Sequence, residues 1–118
     1  MQETLQYGHA DGNQWVAAEC DVSIRPGWFY HPEEDNRVKT VEQLTDLYYR
    51  SVGHNATLLL NFPVDRNGLI HPVDSANAVD FHKNIQKQLA HNLLSGVVAE
   101  VSDERGGKYT AKAMTDND

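Results

Sequence analysis

Ala56-Thr-Leu-Leu-Leu-Asn-Phe62 is a continuous apolar run, not an alternating one. A strand that alternates apolar and polar residues keeps one face wet. One that is apolar throughout is covered on both faces, as in a parallel sheet flanked by helices. Pro63 cannot extend a ladder and ends the run, and Asp65-Arg-Asn67-Gly68 has the composition of a turn.

Working outward, Thr40-Val-Glu-Gln43 has capping-box spacing, in which the Thr40 hydroxyl and the Gln43 amide satisfy backbone donors left over at a helix start. Val41, Leu44, Leu47, Tyr48 and Val52 follow at helical spacing, and Gly53 stands where a C-terminal cap belongs, so the spacing predicts a helix over 41–52. On the other side, Asp74 is expected to cap a second helix with Ala78, Phe81, Ile85, Leu89 and Leu93 on one face and Gly96 at its end. Upstream, Trp15 to Ala18 reads as a short strand reaching Glu19. A long connection over 23–39 follows, with Pro26, Gly27, Pro32 and a solvated acidic run, Glu33-Glu34-Asp35.

The order strand, helix, strand, helix is that of an α/β fold with parallel strands. Past Gly96 the pattern changes: Val97–Val101 and Tyr109–Met114 read as two strands joined around Gly106-Gly107, with a domain boundary near 95. Residues 1–13 read as a polar arm and 115–118 as a frayed acidic end.

The chain has 118 residues, 40% of them hydrophobic, enough for one core. Its formal net charge of −7 and lack of any Lys/Arg cluster argue against a nucleic-acid partner. The apolar runs fall short of the ~20 residues that cross a bilayer, so no membrane span is expected. A single cysteine, Cys20, excludes an internal disulfide and a multi-cysteine zinc site, and reads as a small buried residue. The opening Met-Gln-Glu-Thr has neither the basic nor the apolar region of a signal peptide.

Candidate chemistry gathers between Trp15 and His31. Glu19 ends an apolar run, and a Gly/Pro loop carrying Trp28, Phe29 and Tyr30 comes next. Aromatic faces pack on the C–H faces of sugars, and a partly desolvated carboxyl keeps its proton near neutral pH and donates it to a leaving oxygen. Asp21, two residues on along an extended segment, faces the same side as Glu19 at ~7 Å. It is a rival partner, although pairing with Arg25 competes for it. His31 and His54 fall near loop ends as candidate ligand contacts, and Trp15, Tyr48 and Tyr49 read as packing residues. The six histidines lack the spacing of a helical metal pair, so neither metal nor cofactor is expected. Asn55-Ala-Thr57 matches a glycosylation acceptor but runs straight into the buried strand.

The ordered series Glu19-Cys20, Gly27-Trp28-Phe29-Tyr30, Val38-Lys39-Thr40, Tyr48 to Asn55, Leu58-Leu59-Leu60-Asn61 and Asp65 to Ile70 resembles the α-L-fucosidases of glycoside hydrolase family 29, from about Gly12 to Leu94. The resemblance implies a partial (β/α) TIM-like barrel with two strand–helix units over 1–95. Residues 96–118 would then be a short β-hairpin opening a C-terminal β-sandwich. A whole (β/α) barrel needs about 250 residues, so only part of one is implied. It also implies an exo-acting, retaining glycosidase with a fucosylated oligosaccharide or glycoconjugate as partner. Two carboxyl groups would share the work: one attacks the sugar, the other protonates the leaving oxygen and then activates water. By motif position Glu19 is the acid/base and Trp28 lines the fucose pocket, whereas the family's nucleophilic aspartate lies on an earlier strand. The chain alone is therefore expected to be inactive, and a non-catalytic carbohydrate-binding remnant is the alternative. Family members are commonly periplasmic, secreted or lysosomal. The exposed edge of a partial sheet invites homo-oligomers.

Overall fold

The computed structural model describes residues 7–115; the ends of the polar arm and of the acidic tail lie outside them. Strand β1 (Ala18–Ser23), helix α1 (Val41–Ser51), strand β2 (Ala56–Asn61) and helix α2 (Pro72–Gln88) follow one another, so the α/β order stands. β1 and β2 pair in parallel, in register from Ala18 opposite Ala56 to Ser23 opposite Asn61. The chain divides into two compact units between Gln86 and Lys87.

The sheet has two unlike faces. Cys20, Val22, Leu58 and Leu60 share the partly buried side, and Ile24, Val38 and Leu44 form the buried core with Leu47, Leu60, Phe62 and Phe81 packed against it. Glu19, Asp21, Thr57 and Leu59 stand on the opposite, exposed side. The apolar run in β2 therefore meets helices on one face only. β1 starts later than the sequence suggests and runs through Ser23. Trp15 and Val16 lie outside it, 72% and 77% exposed.

The capping box before α1 is present: the Gln43 backbone N–H donates to Thr40 Oγ1 at 3.3 Å, and the Thr40 N–H donates to Gln43 Oε1 at 2.9 Å. The C-terminal end differs from expectation. A 3₁₀ turn, Val52–His54, follows the helix, and the left-handed residue is Asn55 (φ 66°), not Gly53. Asparagine tolerates that conformation because its short amide bonds locally. Ser51 replaces Val52 on the inner stripe, its hydroxyl donating to Leu47 O at 2.6 Å. α2 packs against α1 through Tyr48 and Phe81, whose rings meet edge-on at 6.3 Å, and through Asn84 Nδ2, which donates to Thr45 Oγ1 at 2.9 Å.

Asp74 does not cap α2. The helix begins at Pro72, which needs no N–H at its first turn, and Asp74 is fully buried within that turn. Its carboxylate takes both prongs of Arg25, Nε to Oδ2 and Nη2 to Oδ1, each at 2.8 Å. The inner stripe of α2 ends at Ile85, and the helix stops at Gln88; Leu89 and Leu93 are exposed.

In the second unit the expected hairpin is absent: neither 97–101 nor 109–114 is a strand. A single bridge, Gly106 with Tyr109, and a 3₁₀ turn, Ala111–Met114, stand in their place. Arg105 and Lys108 lie over the Tyr109 ring at 4.9 and 5.3 Å, and the Ala111 N–H donates to Glu104 Oε1 at 2.7 Å. Val98 is 86% exposed.

Removing one member of a fully buried ion pair leaves an uncompensated charge, which costs about 3–5 kcal/mol. Asp74→Ala is expected to lose that much stability in urea titrations, and Asp74→Ala combined with Arg25→Met markedly less. Equal losses would show that the charge pairing is immaterial.

Candidate functional site

The two strands end together, and the loops leaving their carboxyl ends face each other across a cleft of about 750 Å³, within the range of small-molecule sites. One wall is Trp28 to Glu33, the other Phe62 to Asn67, with Asn61 at the base. Crevices at the carboxyl ends of parallel strands are where α/β folds bind ligands.

The first wall is part of a loop that closes on its own root. The Lys39 N–H donates to Ile24 O at 2.8 Å, and Lys39 Nζ donates to Ser23 O at 2.7 Å. Burial lowers the Lys39 pKa from its usual 10.5. Arg25 supports this loop from inside. Besides Asp74, it reaches Asp35 Oδ1 at 2.9 Å through Nη1, and its guanidinium lies 4.7 Å from the centre of the Tyr30 ring. The bond to Asp74 holds the Arg25 pKa above its ordinary value despite the loss of water, so the cation persists at every ordinary pH. The Arg25–Asp35 approach is short but poorly angled, and Asp35 Oδ1 receives no hydrogen bond from it. Asp35 Oδ2 lies 3.5 Å from both the Tyr30 hydroxyl and His71 Nε2. Burial, with Asp35 adding, raises the Tyr30 pKa above 10, so its hydroxyl stays neutral and able to donate.

The second wall is a turn built on Asp65. Its Oδ1 accepts from the backbone N–H of Asn67 at 2.8 Å and of Leu69 at 2.9 Å, and Gly68 supplies the left-handed residue (φ 78°) the turn requires. Asp65 N donates to Leu69 O at 2.8 Å, closing the loop at its neck.

Trp28, half-exposed at 54%, lines this cleft, and His31 lines it too. Glu19 does not stand beside them. It is the second residue of β1, whereas the cleft lies beyond the last, and the four steps from Glu19 to Ser23 span about 13 Å. β1 thus runs on past Glu19, and its last residue is Ser23. Glu19 and Asp21 sit lower on the open face, where neither makes an ion pair or a side-chain hydrogen bond among the described residues. His54 lies at the amino-terminal end of the sheet, 5.6 Å edge-on from the Tyr7 ring, with Trp15 nearby in a separate hollow. Asn61 and Asp65 are cleft residues that the sequence marks only as strand and turn positions. The signal for Asn61 was a lone polar residue ending an apolar run.

No family model matches the chain. The chain is 43% identical over 101 residues to α-L-fucosidase 1 of Arabidopsis thaliana, a match covering 86% of this chain and 20% of that protein. A crystal structure from Bacteroides thetaiotaomicron superimposes with a TM-score of 0.79 at 49% identity, covering 98% of this chain and 25% of that one. A GH29 fucosidase of Ruminococcus gnavus, solved in complex with fucose, superimposes with a TM-score of 0.74 at 39% identity, over 94% of this chain and 23% of that one. The chain spans about a fifth of the length of the curated relatives it matches.

The Leu69 N–H, with Asn67 adding, holds the Asp65 carboxylate below its usual 3.8. A depressed carboxylate stabilises the turn above the unfolded value and loses that contribution as pH falls through the folded one. The Asn67 and Leu69 amide resonances are expected to titrate together with a midpoint below 3.8. A midpoint at or above that value would remove the carboxylate from the turn.

Proposed function

Starting from a chain related in sequence to the α-L-fucosidases of glycoside hydrolase family 29, we propose that it is a segment of an exo-acting, retaining α-L-fucosidase that removes terminal α-L-fucose from glycans. The observation that carries this reading is the cleft at the carboxyl ends of β1 and β2, with the half-exposed Trp28 ring on one wall. An indole face offers the apolar contact that a sugar's C–H face seeks, while the Tyr30 hydroxyl supplies a polar group. Under this reading residues 1–95 belong to the last part of a (β/α) barrel and 96–118 lead into a separate β domain.

The acid/base role falls to Glu19 by its motif position. Its carboxylate stands on the open face of the sheet, the side a closed barrel would turn inward. The sugar then lies between Trp28 and Glu19, each side chain reaching part of the way. A nucleophilic carboxylate, about 5–5.5 Å from Glu19 in a retaining site, comes from a segment outside these 118 residues. The chain alone is accordingly expected to bind fucose without releasing it from a glycoside. The bare sheet edges are expected to favour self-association, seen as a concentration-dependent mass in sedimentation; a monomer at all concentrations would contradict that.

One feature favours a second reading, a sugar-binding remnant without catalysis. The Trp28 cleft lies at the carboxyl ends of the strands, whereas Glu19 lies near the other end of its strand. The two readings diverge in the intact parent protein. General-acid catalysis contributes about 10²–10⁴-fold. Glu19→Ala is expected to cost turnover in that range on fucosides with poor leaving groups and far less on activated aryl fucosides. Equal losses on both, or none, reject Glu19 as the acid. Trp28→Ala is expected to weaken fucose binding about fivefold, the loss of one aromatic contact of about 1 kcal/mol.

A further inference from the structure

Asn61 ends β2 at the base of the cleft, directly opposite Ser23 in the parallel register. Its backbone carbonyl accepts from the Ile24 N–H at 3.0 Å, so the main chain there belongs to the sheet. Its side chain does something else. Nδ2 donates to Ser23 Oγ at 3.1 Å and to the backbone carbonyl of Trp28 at 3.1 Å. A carbonyl can only accept, so the bond to Trp28 fixes which way the amide faces. Both Nδ2 hydrogens are then committed, and the amide has no donor to offer a ligand. What it controls is the place of Trp28.

We infer that Asn61 is a positioning residue that pins Trp28 to the end of the sheet and so holds the indole in its ligand-receiving pose. The link to sugar binding rests on the function proposed above; the link to Trp28 rests on the two hydrogen bonds alone. Gly27 directly before Trp28 gives the segment backbone freedom, and the Trp28 side chain is half-exposed, so packing alone holds it weakly. A main-chain tie to a rigid strand end limits where the ring can go, and a pre-placed ring loses less freedom when a ligand arrives.

Asn61→Asp isolates this tie. The serine hydroxyl can turn and donate to the new carboxylate, so the bond to Ser23 survives. The Trp28 carbonyl instead faces an acceptor and is repelled. The experiment uses the full chain with Trp15→Phe, which leaves Trp28 as the sole tryptophan of the two. Acrylamide quenching and fluorescence anisotropy of Trp28 are measured without ligand, L-fucose is titrated against its emission, and urea midpoints check folding.

Asn61→Asp is expected to raise quenching and lower anisotropy with little change in the urea midpoint, and to weaken fucose binding about fivefold, the equivalent of one hydrogen bond near 1 kcal/mol. Ser23→Ala, which removes the other partner, is expected to leave Trp28 in place. Unchanged Trp28 mobility in folded Asn61→Asp overturns the inference, as does equal loosening by Ser23→Ala. If Asn61→Asp fails to fold, Asn61→Leu is measured in its place and must loosen Trp28 in the same way. Loosening of Trp28 in a chain that never binds fucose supports the positioning role and overturns the sugar-binding reading.

Discussion

The bidentate pair between Arg25 and Asp74 is the constraint around which this chain is organised. Both side chains are fully buried, and each would be costly there alone. Together they join the first residues after β1 to the first turn of α2, 49 positions apart in sequence. The same guanidinium reaches out of the core to Asp35 and lies against Tyr30. One cation thereby couples the helix layer to the loop that walls the cleft. The buried apolar residues Ile24, Val38 and Leu44 give no directional link of that kind. Apolar contacts fill space, whereas a forked hydrogen-bonded pair also fixes angle and register.

This pair also explains what the sequence revealed and what it hid. The local elements were readable. The uninterrupted run at Ala56–Phe62 announced a sheet strand, and Thr40 with Gln43 announced a helix start, because each signal lies within a few residues. Asp74 was misread for the same reason. An aspartate near a helix start is a cap by local rules, and nothing local says that Arg25 lies against it. The strand around Glu19 was misplaced because Trp15 and Val16 are apolar without being covered in this chain. The paired strands expected after Gly96 do not form: Val97 to Val101 has strand composition, but among the described residues no neighbouring strand completes a ladder.

The site divides in the same manner. Trp28 was identifiable as a large ring in a Gly/Pro loop, and it lines the cleft. Glu19 was identifiable as a residue type, but its height along the strand depended on where pairing with β2 begins. Asn61 was invisible as a functional residue, since an amide at the end of an apolar run looks like a strand terminator. Its importance comes from Ser23 and Trp28, which the parallel register brings to it from the other strand.

The loop that bears Trp28 leaves the core at Ile24 and returns at Lys39, where a single backbone bond zips its two ends together. A loop closed at its root in this way can gain or lose residues at its tip while the strand register stays the same. The entropic penalty of lengthening grows only logarithmically, about 0.6 kcal/mol for each doubling. Ligand preference can therefore drift through this appendage over evolutionary time, with the pairing of the two strands untouched.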